Sequence, residues 1–129
     1  KMKQLQKGLD QLSEEGTSQV FRRKFNSDTI LGVVGRLQFE VVKYRLLNEY
    51  GADAIFTPLN YSCSRWYYSD DKVALEKFED YYGMQIVYDV RDYPMILLKD
   101  DWEQGYVQEK CPEVKFYSSL MKYELDLNK

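Results

Sequence analysis

The sequence predicts an α+β protein made of two related split β-α-β units. Three observations carry that prediction. Apolar residues recur at three- and four-residue steps in several segments, short runs rich in β-branched and aromatic residues lie between them, and glycine or proline punctuates most transitions. The composition suits such a fold: 129 residues, 44% apolar and 30% charged, with a formal net charge of -3. A chain of this length buries roughly two-thirds of its unfolded surface without a disulfide or metal staple. Aromatic content of 16%, with 12 tyrosines, argues against disorder. The mean hydropathy is -0.58, and no apolar run approaches the ~18 residues of a membrane span.

The first helix is expected from about Met2 to Glu15, where Met2, Leu5, Leu9 and Leu12 share one face before Gly16 stops it. Ser18 to Arg23 and Thr29 to Val34 read as two strands of a hairpin, joined by Phe25-Asn26-Ser27-Asp28, whose polar residues favour a turn. Helical spacing returns at Leu37, Val41, Tyr44 and Leu47, with Val42 and Leu46 widening the stripe, until Gly51. A third strand is expected at about Asp53 to Thr57, before Pro58.

Cys63 to Tyr68 reads as a strand, and Asp70-Asp71 cap a helix carrying Val73, Leu75, Phe78 and Tyr82 as far as Gly83. Strands are expected at Gln85 to Val90 and Met95 to Leu98, separated by Arg91-Asp92-Tyr93-Pro94, where proline fits a turn. A helix from about Asp101 to Lys110 and a strand from Val114 to Ser118 complete a β-α-β-β-α-β order. That order is the split βαβ arrangement of ferredoxin-like domains, with two crossover helices on one sheet face. The first half repeats it but starts at the helix, so its initial strand is expected upstream of Lys1. The expected organisation is one packed unit of two subdomains, residues 1–59 and 60–129, with no Pro/Gly/Ser linker between them. The start Lys1-Met2-Lys3 suggests an excised piece of a longer protein.

Absences narrow the chemistry. With no histidine, Ser-His-Asp triads, Cys-His dyads and imidazole metal sites are excluded. Cys63 and Cys111 form no Cys-x-x-Cys pair and read as reduced thiols. No secretory signal is visible. None of the seven glycines precedes lysine, so no phosphate loop of the Gly-x-x-x-x-Gly-Lys type exists. Adjacent carboxylates at Asp70-Asp71 and Asp100-Asp101 could shift each other's protonation, but consecutive positions diverge, and capping a helix dipole is the commoner use. Charge is uneven, with a balance of +3 over residues 1–50 and -6 over residues 51–129. Arg22-Arg23-Lys24 at a strand end and Arg36 at a helix start could neutralise phosphates, or simply be solvated surface.

Two segments carry a family resemblance. Lys7-Gly8-Leu9-Asp10-Gln11-Leu12-Ser13-Glu14-Glu15-Gly16 with Val20-Phe21-Arg22, and Ile30-Leu31-Gly32-Val33-Val34-Gly35-Arg36-Leu37-Gln38-Phe39-Glu40-Val41-Val42 continuing to Phe56, resemble the carboxyl-terminal domain of bacterial peptide chain release factor 3. Ser64-Arg65-Trp66 also matches, and past Ser69 only the element order and Phe78-Glu79 support the likeness. Elongation factor G has a comparable strand-glycine-helix segment, while the Gln38-Phe39-Glu40-Val41 wording points to the release factor. In physical terms Gly32 and Gly35 are expected to permit close backbone approach and a tight strand-to-helix transition, with Leu37, Val41 and Val42 packing the helix on the sheet.

The resemblance implies a non-catalytic docking domain of a cytoplasmic translation-termination GTPase that removes class I release factors from the ribosome after peptide release. GTP and magnesium would then belong to an upstream domain of the parent, with no cofactor in this fragment. The implied partners are the ribosome, through a small-subunit protein and ribosomal RNA, the parent's own GTPase domains, and class I release factors indirectly; no membrane is implied. Candidate ribosome contacts are Arg22, Arg23, Lys24 and Arg36, with Arg65 and Trp66 as a weaker pair. Arg36 also reads as a residue of the helix cap, Arg65 as strand surface and Trp66 as core. The tyrosines Tyr67, Tyr68, Tyr81, Tyr82 and Tyr93 are expected to pack the sheet. A free-standing ferredoxin-like module that binds or senses a small ligand remains the alternative.

Overall fold

The computed structural model describes residues 2–16, 18–24, 28–33 and 35–129, without the side chain of Met2. Lys1, the turn expected at Phe25, Asn26 and Ser27, and the strand end expected at Val34 lie outside the described residues. Packing divides the chain into two compact units, one of Lys1–Phe21 and Thr29–Pro58, the other of Arg22–Asp28 and Leu59–Lys129. No helix among the described residues is long and apolar enough to cross a membrane.

The first unit contains helix α1 (Met2–Glu14), strand β1 (Gln19–Arg23) up to Phe21, strand β2 (Thr29–Gly32) beside it, and helix α2 (Arg36–Tyr50). Leu9 and Leu12 of α1 are buried with Val20, Val42, Leu46, Ala52 and Ala54, and Leu5 packs against the same cluster, as the spacing predicts. The helices meet closely at Gly8, where a Cβ atom would stand 2.6 Å from Leu46 Cδ2. Gly51 takes the left-handed conformation, φ 66°, and ends α2 with a paired closure: Gly51 N–H donates to the Leu47 carbonyl and Ala52 N–H to that of Leu46. Arg45 ties α2 to the end of α1, donating to Glu15 and Glu49 at 2.7 Å each. These hydrogen bonds hold both carboxyls below their usual range.

Three expectations for this unit fail. Leu37 is 80% and Tyr44 69% exposed, and Val41 and Leu47 are also exposed; the buried side of α2 is Val42 and Leu46. Apolar residues occupy both sides of this helix, so spacing alone could not choose the face turned to the core. Gly35 precedes α2 with φ -151°, ordinary extended backbone, and nothing lies within 4 Å of a Cβ built there. Of these two glycines Gly32 is the crowded one, with its Cβ position 3.3 Å from the Phe21 ring. Residues 51–62 form no strand, so the one expected at Asp53 to Thr57 is absent. Ala52 and Ala54 are buried while Asp53 and Ile55 are exposed. Alternating burial needs only a surface to pack on, whereas a strand needs a ladder partner.

The second unit runs β3 (Cys63–Tyr68), α3 (Lys72–Tyr81), a 3-10 turn (Gly83–Gln85), β4 (Ile86–Tyr88), β5 (Pro94–Leu98), α4 (Asp101–Lys110), β6 (Lys115–Tyr117) and α5 (Leu120–Leu127). Its strands are ordered β4-β5-β3-β6 and all pair antiparallel. In sequence order that is second, third, first, fourth, the arrangement produced when two crossover helices each skip one strand of a ferredoxin-like sheet. Arg22 and Arg23, at the end of β1, pair with Tyr88 and Val87 of β4.

Helices α3 and α4 cover one sheet face, where Phe78 and Val107 pack with Tyr67, Ile86, Ile96 and Leu98. Asp71 caps α3 by accepting from the N–H groups of Val73 and Ala74, and Asp100 caps α4 by accepting from Glu103 N–H. The Glu103 carboxylate accepts in turn from Lys99 N–H at 2.8 Å. Gly105 lies inside α4, where it costs about 1 kcal/mol relative to alanine, and nothing within 4 Å would obstruct a side chain. Helix α5 was not expected. It lies on the other sheet face, where its buried Tyr123 stacks on Trp66 and meets Tyr93 and Tyr117 edge-on. Ser119 as N-cap, followed by apolar residues at 120, 123 and 127, was the overlooked signal.

Candidate functional site

The basic run sits where β1 finishes beside β4. The Arg22 side chain is 55% exposed, pairs with the Asp92 carboxylate, and lies 6.0 Å above the Tyr88 ring. Arg23 donates from Nη1 to the Met84 carbonyl at 2.9 Å, and Lys24 N–H donates to the Ile86 carbonyl at 3.3 Å. These bonds hold the run along the strand edge and leave Arg22 reachable from solvent.

Asp92 owes its position to the turn between β4 and β5. It has a positive φ of 65°, which an aspartate tolerates better than most residues. The turn is organised by buried Asp89. One of its carboxylate oxygens accepts from Arg91 N–H and Tyr93 N–H at 2.9 Å each, and the other accepts from the Trp66 indole at 3.0 Å. Trp66 therefore supports Asp89, Asp89 shapes the turn, and the turn presents Asp92 to Arg22. The Trp66–Asp89 link joins residues 23 positions apart and so leaves no local pattern in the sequence. Tyr88 and Asp89 were missed because residues 85–90 read only as a strand, and Asp92 because residues 91–94 read only as a turn.

The other candidates stand apart. Arg65 and Trp66 are neighbours in β3 and so face opposite sides of the sheet. Arg65 is opposite Ile96 in the ladder, half-buried, with its guanidinium donating to the Ser64 carbonyl at 2.8 Å. Arg36 belongs to the first unit, where it opens α2 and is exposed. A guanidinium cannot accept the orphan N–H groups of a helix start, and a cation is disfavoured by the dipole there. Helix stability therefore gives no reason for Arg36.

The carboxylate pairs have structural uses. Asp71 and Asp100 are caps, and Asp70 accepts from the Tyr68 hydroxyl, which pushes that phenol's pKa upward. Burial raises the pKa of both Cys63 and Cys111, so these thiols stay protonated at neutral pH. Among the described residues no group of three or more acidic or cysteine side chains is arranged to hold a metal. Of the five tyrosines expected to pack the sheet, Tyr67 is buried with its hydroxyl on Glu79, and Tyr93 reaches Glu124. Tyr81 is exposed instead.

Fold and surface together define a ferredoxin-like α+β module with cations at a strand end and a helix start. The family model for the class II release factor RF3, C-terminal domain, matches residues 1–108, and the chain belongs to that family. It is thus a translation-termination factor's carboxyl-terminal domain, which is not itself a GTPase domain. The match ends within α4, so β6 and α5 lie beyond it.

Proposed function

We propose that this chain docks a translation-termination GTPase on the small ribosomal subunit in the cytoplasm, so that nucleotide-dependent rearrangement drives class I release factors off after peptide release. GTP hydrolysis and its magnesium belong to upstream domains of the parent, and subdomains 1–59 and 60–129 act as the coupling piece between those domains and the ribosome. The observation that carries this reading is membership of the RF3 carboxyl-terminal family over residues 1–108. The exposed Arg22 and Arg36 and the half-buried Arg23 and Lys24 supply its chemistry. Arg22, Arg23, Lys24 and Arg36 are suited to neutralising ribosomal RNA phosphates, each contact releasing counterions. Arg65 contributes less because its guanidinium is held by its own strand, and Trp66 acts through the Asp89 turn.

The test is ribosome binding by a protein that carries the upstream GTPase domains, with R22Q/R23Q/K24Q as the variant. Loss of three phosphate contacts should weaken binding by about tenfold or more and flatten the slope of log affinity against log salt by about 2 to 3. An unchanged slope and affinity would remove this run from the interface.

A further inference from the structure

The outward side of α4 carries a feature that neither the core nor the basic run uses. Trp102 is 75% exposed and Tyr106 44%. Their rings are stacked, with centroids 5.5 Å apart and planes 14° from parallel. Lys110 continues the row, its ammonium 5.6 Å over the Tyr106 ring, so one ring of the pair already holds a cation. Helical spacing puts Gly105 beside this row, bordered by Asp101 and Trp102 one turn before it and by Glu109 one turn after it. Among the described residues neither Asp101 nor Glu109 is engaged by a cation. A bare patch of backbone is thus flanked by an indole face and two available carboxylates. Nothing in the packing calls for the helix-weakening glycine, since a side chain there would meet open space.

Planar guanidinium groups match this arrangement, because they stack on aromatic faces while giving paired hydrogen bonds to carboxylates. The surroundings agree in sign: residues 70–81 and 99–113, which hold the two helices of this sheet face, contain ten carboxylates against four lysines. We infer that the Trp102–Gly105–Glu109 side of α4 is a docking surface for an arginine-rich basic segment of another protein. Single-stranded RNA could also stack on the indole, but its phosphates would meet this excess of negative charge. The inference does not rest on phosphate binding by Arg22, Arg23 and Lys24.

The test uses the 129-residue chain with three fluorescein-labelled probes, octa-arginine, octa-lysine and oligouridylate, followed by anisotropy at near-physiological salt. Octa-arginine should bind more tightly than octa-lysine; W102A should weaken it about tenfold and W102F much less. G105Q should fill the bare patch and weaken binding by about fivefold while raising the melting temperature, so a folding defect cannot explain the loss. Failure of octa-arginine to bind, or equal binding by W102A and the parent chain, would overturn the inference. Oligouridylate binding that disappears in W102A would overturn it too, in favour of a nucleic-acid site.

Discussion

Asp89 receives three hydrogen bonds inside the second unit, from Arg91 N–H, Tyr93 N–H and the Trp66 indole. All three partners are donors, and both side-chain oxygens of Asp89 serve as acceptors. Asp89→Asn would turn an amide N–H₂ toward at least one of those donors, at a cost of about 1 to 3 kcal/mol. Urea unfolding should show that loss, and adding Trp66→Phe should recover part of it, because the facing indole N–H is gone. Strictly additive losses would mean that the indole and the carboxylate are not coupled. At this scale the sequence was least informative. Trp66 could be read as core from its type, but its link to Arg22 through Asp89 and Asp92 spans distant parts of the chain and has no local pattern.

Helix α2 shows where periodicity runs out. Its extent is legible, from Arg36 after Gly35 to the left-handed Gly51, because both ends carry local signals. Its orientation is not, since Leu37, Val41, Tyr44 and Leu47 repeat as regularly as the buried Val42 and Leu46. Substitution separates the two sides. Leu46→Ala should destabilise by about 2 to 5 kcal/mol, whereas Leu37→Lys and Tyr44→Lys should each stay within about 0.5 kcal/mol, all read as shifts in denaturation midpoint. A large loss at Tyr44 would place that side in contact with the core. In the second unit both cues agree: Asp71 and Asp100 cap the helices that the spacing predicts, and the four strands appear in the expected order. Helix α5 was hidden because its eight residues bury mainly Tyr123, too short a stripe to read.

For the molecule as a whole, tyrosines set the behaviour in alkali. Burial, together with a hydrogen bond to Glu79, drives the Tyr67 pKa far upward, and burial pushes Tyr123 up to about 12. In the unfolded chain both ionise near about 10. The folded form therefore keeps protons that the unfolded form releases, so their contribution is complete below about pH 10 and declines as pH rises above it. The decline for the pair approaches about 3 kcal/mol per pH unit. Denaturation midpoints measured from pH 9 upward should be level at first and then fall steeply, and phenolate absorbance should appear together with unfolding. Constant stability up to pH 12 would contradict the burial of these two rings. The α+β class and the ferredoxin-like order were legible at this scale because they depend on element sequence. The second unit is discontinuous, since Arg22–Asp28 belongs with residues that follow it by some thirty positions or more in the chain.

That discontinuity means that the second unit is not a contiguous stretch of sequence. A protease entering the ladder-free residues 51–62 would release a carboxyl-terminal fragment whose β4 edge still paired with Arg22 and Arg23 on the other fragment. The two pieces would stay associated after the peptide bond between them was cut, and neither would be a finished module when separated from the other.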